Sequence, residues 1–370
     1  MEKSEMLWEF INNMFAELKI PYFEIKVFKH YEKIFEYTIK PEAWADKNKL
    51  YMYSCTKPLT AVCVMQLIET GKLSLDDYLV QYVPSFRDAF YIDDQGEKHV
   101  VGASITIRHL MTMSAGLDYD LHTPAIEALY RDGANPTTAE IVDAIAETPL
   151  SFLPGTQFQY SLCLDVMARV VEVVSQMRFS DYVQKYVFAP LGMTASGFRD
   201  NDPERMIPQY RIKKGNIEPC LTGNEMVRSV RFDSGGAGLV STVADYAKLG
   251  VALANRGMTK DGYRLLMPES IEAMRGPEIQ VMHIENGFTC AQGDAYSYGL
   301  GVRTRIVPTD FGLGIGEFGW DGAAGSYLMV DPHKNISVVM GMHLLGWPGL
   351  FLCKHLEIVE QIYKIFDFDK

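Results

Sequence analysis

The sequence predicts an α+β fold: an antiparallel sheet flanked by helices, formed by both chain ends, with a mainly helical domain inserted between them. Three observations carry this. The chain opens helix–strand–strand, it closes strand–strand–helix, and the stretch between is dominated by apolar residues at helical spacing. The expected partition is residues 1–50 and 286–370 for the sheet domain and 51–285 for the helical one.

The N-terminal helix is read from Leu7, Phe10, Ile11, Met14 and Leu18, which share one helical face. Phe23, Ile25 and Val27 alternate with polar partners, and Ile34 to Ile39 is rich in β-formers, so two strands follow. Helices are expected over Ala61–Thr70, Ile107–Met113, Thr138–Glu147, Leu164–Val174 and Val243–Ala254, joined by Gly- and Pro-containing loops. Near the end, Ser326–Val330 and Ile336–Met340 flank Asp331-Pro332-His333-Lys334-Asn335, a hairpin signal. A last helix aligns Leu352, Leu356, Val359, Ile362 and Phe366.

Composition narrows the function. The 370 residues are 48% hydrophobic and 22% charged, enough for a sizeable core and against disorder, and mean hydropathy is −0.04. Lys plus Arg is 35 against 47 for Asp plus Glu, giving net charge −12 and a pI near 5.2. That surface repels phosphate backbones and anionic lipid, so neither nucleic acid nor membrane is an expected partner. Ile336 to Cys353 lacks Asp, Glu, Lys and Arg and approaches the length of a spanning helix, but Gly341, Gly346, Pro348 and Gly349 interrupt it. The acidic opening Met1-Glu2-Lys3-Ser4-Glu5 is unlike a secretory signal. Six scattered cysteines without a C-x-x-C pair read as reduced thiols, and the expected location is cytoplasmic.

Ser54-Cys55-Thr56-Lys57 precedes a helical run, so Lys57 can point at the Ser54 hydroxyl from one turn away. A serine hydroxyl is a poor nucleophile until a neighbour takes its proton. Serine is also a favoured N-cap, and by itself the pair decides little. Two further segments stand out: Tyr160-Ser161 at the start of a helix, after the Pro154-Gly155 turn, and Trp320-Asp321-Gly322-Ala323, before the C-terminal hairpin. Other patterns are set aside. Gly314-Ile315-Gly316-Glu317-Phe318-Gly319 leads into a strand where a dinucleotide site needs a helix. Asp233-Ser234-Gly235-Gly236 resembles a protease serine loop but lacks its preceding glycine, and G-x-S-x-G is absent. The eight histidines show no H-E-x-x-H or paired spacing, so no metal and no cofactor are expected; His109 and His343 read as residues that satisfy hydrogen bonds.

Taken together, the segments resemble the class C β-lactamase-like serine hydrolases, which include penicillin-recognising enzymes and esterases. Ser54-x-x-Lys57 matches the first motif of that family, Tyr160-Ser161-Leu162 stands at its Tyr-x-Asn, and Trp320-Asp321-Gly322 stands at its Lys/His-x-Gly. Ile105–Leu117 and Ser234–Thr242 also look familial, and the likeness runs in order from about residue 20 to 345. It implies a β-lactamase/transpeptidase-like fold and an acyl-enzyme on Ser54, with Lys57 and Tyr160 catalytic. It also implies an oxyanion hole from the backbone N–H groups of Ser54 and Ala323. Lys57, as ammonium, is expected to lower the Tyr160 pKa, and which of the two takes the first proton stays open. Substrate is expected to meet Trp320, Gly322 and Leu162. Leu162 removes the family's amide and Trp320 its cation, which resembles the esterase branch. The leading expectation is a serine esterase for a small, uncharged acyl substrate. A β-lactamase or D-amino-acid peptidase is the alternative, and a non-catalytic ligand-binding protein the second. Oligomeric state is not legible.

Overall fold

The N-terminal stripe folds as helix α1, Lys3–Ala16, and the two β-rich runs that follow become β1, Phe23–Lys29, and β2, Glu32–Ile39. The structure is a computed structural model and describes residues 2–16, 19–199, 201–278, 295–347 and 354–368. Near the other end lie β3, Tyr296–Tyr298; β4, Arg303–Arg305; β5, Phe318–Asp321; β6, Tyr327–Asp331; and β7, Ile336–Gly341. These seven form one sheet in the order β2-β1-β7-β6-β5-β4-β3, every neighbouring pair antiparallel. β1 pairs directly with β7, Ile25 opposite Met340 and Val27 opposite Val338, so the two chain ends close on each other.

Both faces of the sheet are covered, which is why β6 and β7 read as near-continuous apolar runs. Tyr327, Met329, Val338 and Met340 pack under α1 and the C-terminal helix α5, His355–Phe366, with Leu7, Ile11, Ile358 and Ile362 fully buried there. Burial of each such side chain is worth about 1.5–3 kcal/mol. The alternate residues Leu328, Val330 and Val339 face the helical core. Helix α4, Val243–Ala254, lies across β7, β6 and β1, and Gly250 leaves the space that Leu328 fills.

Between the chain ends, helix α2, Thr56–Glu69, is buried almost all round, and α3, Cys163–Ser175, packs on it. The expected helices over 107–113 and 138–147 form as Ile107–Met111 and Thr138–Ala146, the second with a capping box from Thr137 and Glu140. The α+β class predicted from sequence is the one observed. Strands β3 and β4, too short for periodicity to reveal, were not anticipated. Leu18, Leu352, Cys290, Cys353 and the expected 285/286 boundary lie outside the described residues; Cys55, Cys63, Cys163 and Cys220 are buried free thiols. Among the described residues no helix is long and apolar enough to cross a membrane, and Ile336–Gly341 is strand β7.

Candidate active site

Ser54 lies in a tight 3-10 turn, Tyr53–Cys55, that runs straight into α2. Residues three apart eclipse one another in such a turn, so the Lys57 Nζ reaches to 3.2 Å from the Ser54 Oγ. The turn is fixed from several sides. Thr56 Oγ1 donates to Tyr53 O at 2.6 Å, and Tyr246 on α4 donates to Cys55 O at 2.5 Å. Tyr53 takes a left-handed φ of 47°, which costs a side-chain-bearing residue about 1–3 kcal/mol. Its hydroxyl is pinned by Gln209 Nε2 at 2.5 Å and donates to Gly223 O at 3.5 Å.

Tyr160 arrives from the segment before α3. That segment is held by Gln159 N–H on Met113 O and Leu162 N–H on Asp118 O, bonds to the familial Ile105–Leu117 stretch and its continuation. The Tyr160 hydroxyl donates to Ser54 Oγ at 2.5 Å and accepts from the Trp320 indole N–H at 3.3 Å. Its ring is stacked between Tyr119, centroids 5.3 Å apart, and Trp320, 5.5 Å apart. Lys57 Nζ stands 4.4 Å from the Tyr160 ring centroid. Ser54, Lys57, Tyr160 and Trp320 are thus brought together from three distant parts of the chain.

The electrostatics differ from the expectation. Lys57 is fully buried, and burial lowers its pKa to about 7, against a partial opposing pull from the Asp165 carboxylate. Tyr160 is pushed above the ordinary phenol range, chiefly by burial. An ammonium at Lys57 therefore does not bring the tyrosine into the neutral range: desolvation disfavours both charged forms, and Lys57 is the group that titrates near neutrality.

Two residues that the sequence reading passed over complete the site. Asp165, on the first turn of α3 and fully buried, accepts from Ser234 Oγ at 2.5 Å and Gly236 N–H at 3.1 Å. This orients Gly236 O toward Lys57 Nζ at 2.9 Å, while Thr60 Oγ1 donates to Gly235 O at 2.7 Å. The Ser234–Thr242 stretch is thus a backbone cradle for α2, and Ser234 is a buried donor to Asp165. Tyr119 is the other; a lone tyrosine in a loop gives no signal in one sequence.

The remaining expected residues divide. Trp320 on β5 stacks on Tyr160 as an aromatic wall, its far edge against Tyr298 at 5.2 Å. Leu162 is only 2% exposed and packs in the helical core beside Leu117, Ile126 and Ile145; an apolar side chain at that helix start buries itself, so it is not brought to the Ser54 cluster. At Gly322, a side chain would collide with Met52 O and Ser326 Oγ, so glycine there serves the packing of the turn against the chain before Ser54. Ala323 is exposed, and among the described residues neither its N–H nor that of Ser54 donates to another group. His109 receives Thr106 N–H, and His343 Nδ1 bonds Ile207 O at 2.7 Å while Nε2 receives Tyr51 N–H at 3.4 Å. Asp93, Glu97 and His99 converge within 4.8 Å on an exposed hairpin, where Asp93 also caps the turn amides of Gln95 and Glu97.

A serine flanked by a buried lysine and a tyrosine, at a helix start beside a sheet strand, defines a serine hydrolase. The chain belongs to the beta-lactamase family, whose model matches residues 26–354. It is 31% identical to the lovastatin esterase of Penicillium rubens over 72% of this chain and 68% of that one. It is 29% identical to esterase EstB of Burkholderia gladioli over 78% and 75% of the two chains. Among solved structures, EstCE1, described as a hydrolase with promiscuous acyltransferase activity, aligns with a TM-score of 0.80 over 98% of both chains at 23% identity, a likeness of fold. The architecture is β-lactamase/transpeptidase-like.

Proposed function

We propose that the protein hydrolyses small, uncharged carboxylic esters, or related amides, through an acyl-enzyme on Ser54. The observation that carries this reading is the position of Ser54 Oγ, 2.5 Å from a tyrosine hydroxyl and 3.2 Å from a lysine amine whose pKa is about 7. Neutral Lys57 accepts the Ser54 proton as Oγ attacks the acyl carbon, and the carbonyl oxygen becomes an oxyanion held by the Ser54 and Ala323 N–H groups. As the intermediate collapses, the bond to the leaving alcohol breaks. Tyr160 gives that oxygen its proton and takes the one held by the neighbouring Lys57 ammonium directly, since the acylated Ser54 Oγ carries none. Water then attacks the acyl-enzyme by the same route in reverse, releasing the acid.

The preference for neutral substrates rests on Trp320. An indole cannot pair a substrate carboxylate, and pressing an unpaired carboxylate on the Trp320–Tyr160–Tyr119 wall strips solvation at a cost of several kcal/mol. The same wall favours apolar groups by about 25 cal/mol per Å² removed from water. The two esterases matched in sequence agree with this reading. The test compares kcat/KM for p-nitrophenyl acetate and butyrate with nitrocefin, on the native protein and on Trp320→Lys. The esters should win by a wide margin, and Trp320→Lys should narrow it. Nitrocefin turnover equal to that of the esters would overturn the ester assignment, and no fluorophosphonate adduct on Ser54 would overturn catalysis itself.

A further inference from the structure

Behind the wall, on the face of β5 opposite Trp320, lies a buried ionic cluster that the proposed reaction does not touch. The β4–β5 ladder pairs only Thr304 with Phe318 and Arg303 with Gly319, while β6 pairs on as far as Asp321. Among the described residues, the half of β5 that carries Trp320 therefore has a strand on one side only; on the other, Trp320 O accepts from the Cys55 thiol at 3.5 Å, and the Ala323 turn follows. At the point where the ladder stops, side chains take over. Arg303, with 3% of its side chain exposed, donates from Nη1 to Asp321 Oδ2 at 2.8 Å and from Nη2 to Leu328 O at 3.3 Å. Leu328 is the register partner of Trp320 on β6. The other Asp321 oxygen lies 2.8 Å from His355 Nδ1 at the start of α5. One guanidinium thus spans β4, β5 and β6, and one carboxylate ties β5 to the helix behind it. Gly319 has no room for a side chain because Leu328 O, the carbonyl that Arg303 engages, would lie 1.9 Å from its Cβ.

We propose that Arg303 and Asp321 are positioning residues that hold the end of β5, and with it the Ala323 N–H that follows, in register with Ser54. The inference rests on the reading of Ser54 as nucleophile and Ala323 as oxyanion donor. Neither residue touches substrate. An oxyanion donor acts on charge that develops in the transition state, so its displacement lowers kcat and leaves KM nearly unchanged.

The test uses the full chain with p-nitrophenyl butyrate and a fluorophosphonate. In Asp321→Ala, kcat and the phosphonylation rate should fall about 10- to 100-fold, as for an ångström-scale misplacement, with KM within about twofold of wild type. Tyr363→Phe is the control: it removes the Tyr363 bond to Asp331 in the same buried layer without touching β5, and should keep wild-type kcat whatever its melting temperature. Asp321→Asn, which can still accept from Arg303, should recover most of the rate. If Asp321→Ala does not fold, Arg303→Lys takes its place, because an ammonium cannot span Asp321 and Leu328 O together; it should show a smaller fall in kcat at constant KM. Wild-type kcat in a folded Asp321→Ala or in Arg303→Lys would overturn the proposal, as would a loss that merely tracks melting temperature in the control too. If native Ser54 takes no fluorophosphonate, the ester reading fails instead. The brace is then judged by amide exchange over 321–325, which must quicken in Asp321→Ala and not in Tyr363→Phe.

Discussion

At the start of α2, Lys57 and its neighbours Thr56 and Thr60 are fastened to main-chain oxygens: Tyr53 O, Gly235 O and Gly236 O. On β5, among the described residues, the Trp320 segment has a paired strand on one side, the Cys55 thiol on the other and ion pairs behind it. The first region buries an amine away from water beside a serine hydroxyl, and the second ties an aromatic-bearing strand end by charge pairing across strands. In the helix-start half the Ser54–Lys57 pair is local, so four consecutive residues encode it, although the Gly235 and Gly236 carbonyls that fasten it come from far along the chain. The strand half is assembled from β4, β6 and α5, which lie apart in the chain, and its supports cannot be guessed from Trp320 itself.

Perturbing the helix-start half should have the largest effect. Ser54→Ala should abolish turnover and the fluorophosphonate adduct, read by mass spectrometry of the Ser54 peptide, while costing about 1–3 kcal/mol of stability through the lost Lys57 and Tyr160 bonds. An adduct on Ser234 would break the contrast, since that serine is buried against Asp165.

Lys57→Met should lower kcat by about 10³–10⁴. It also has a stability signature with a definite sign. The Lys57 pKa is about 7 in the folded protein against 10.5 for an ordinary lysine, so between those values the unfolded chain binds the extra proton. Native stability therefore rises with pH across that window, and Lys57→Met lacks this contribution. Melting temperatures taken from pH 7 to 10 should show wild type gaining on the variant; parallel curves would mean that Lys57 is not desolvated. The same depressed pKa predicts that kcat/KM falls as pH drops below about 7, because the ammonium cannot accept the Ser54 proton.

Tyr160→Phe keeps the stack and removes the proton route, so kcat should fall about 10²–10³ with little change in melting temperature. Full activity would show that Lys57 acts alone. The smallest effect is expected at the Trp320 side chain: Trp320→Phe retains an aromatic wall but loses the N–H bond to Tyr160, worth up to about tenfold in kcat. A loss as large as that of Tyr160→Phe would show that the indole orients the tyrosine outright.

The sequence by itself determined the class of fold and the chemistry-bearing pair. Apolar periodicity is local, so α1, β1, β2, β6, β7 and the helices between them were legible, as was the mirrored order of the two ends. Ser54 and Lys57 were legible because a one-turn spacing is a geometric statement. Tertiary structure alone decided what those groups are. Burial, which depends on every element packed around α2, sets Lys57 near neutrality and holds Tyr160 protonated, reversing the expected order. It also turned Leu162 into core, gave Gly322 a packing role, and brought Asp165, Tyr119 and Arg303 to bear from positions with no mark in the chain. A pKa or a cross-strand ion pair depends on three-dimensional neighbours, and spacing along the chain does not specify them.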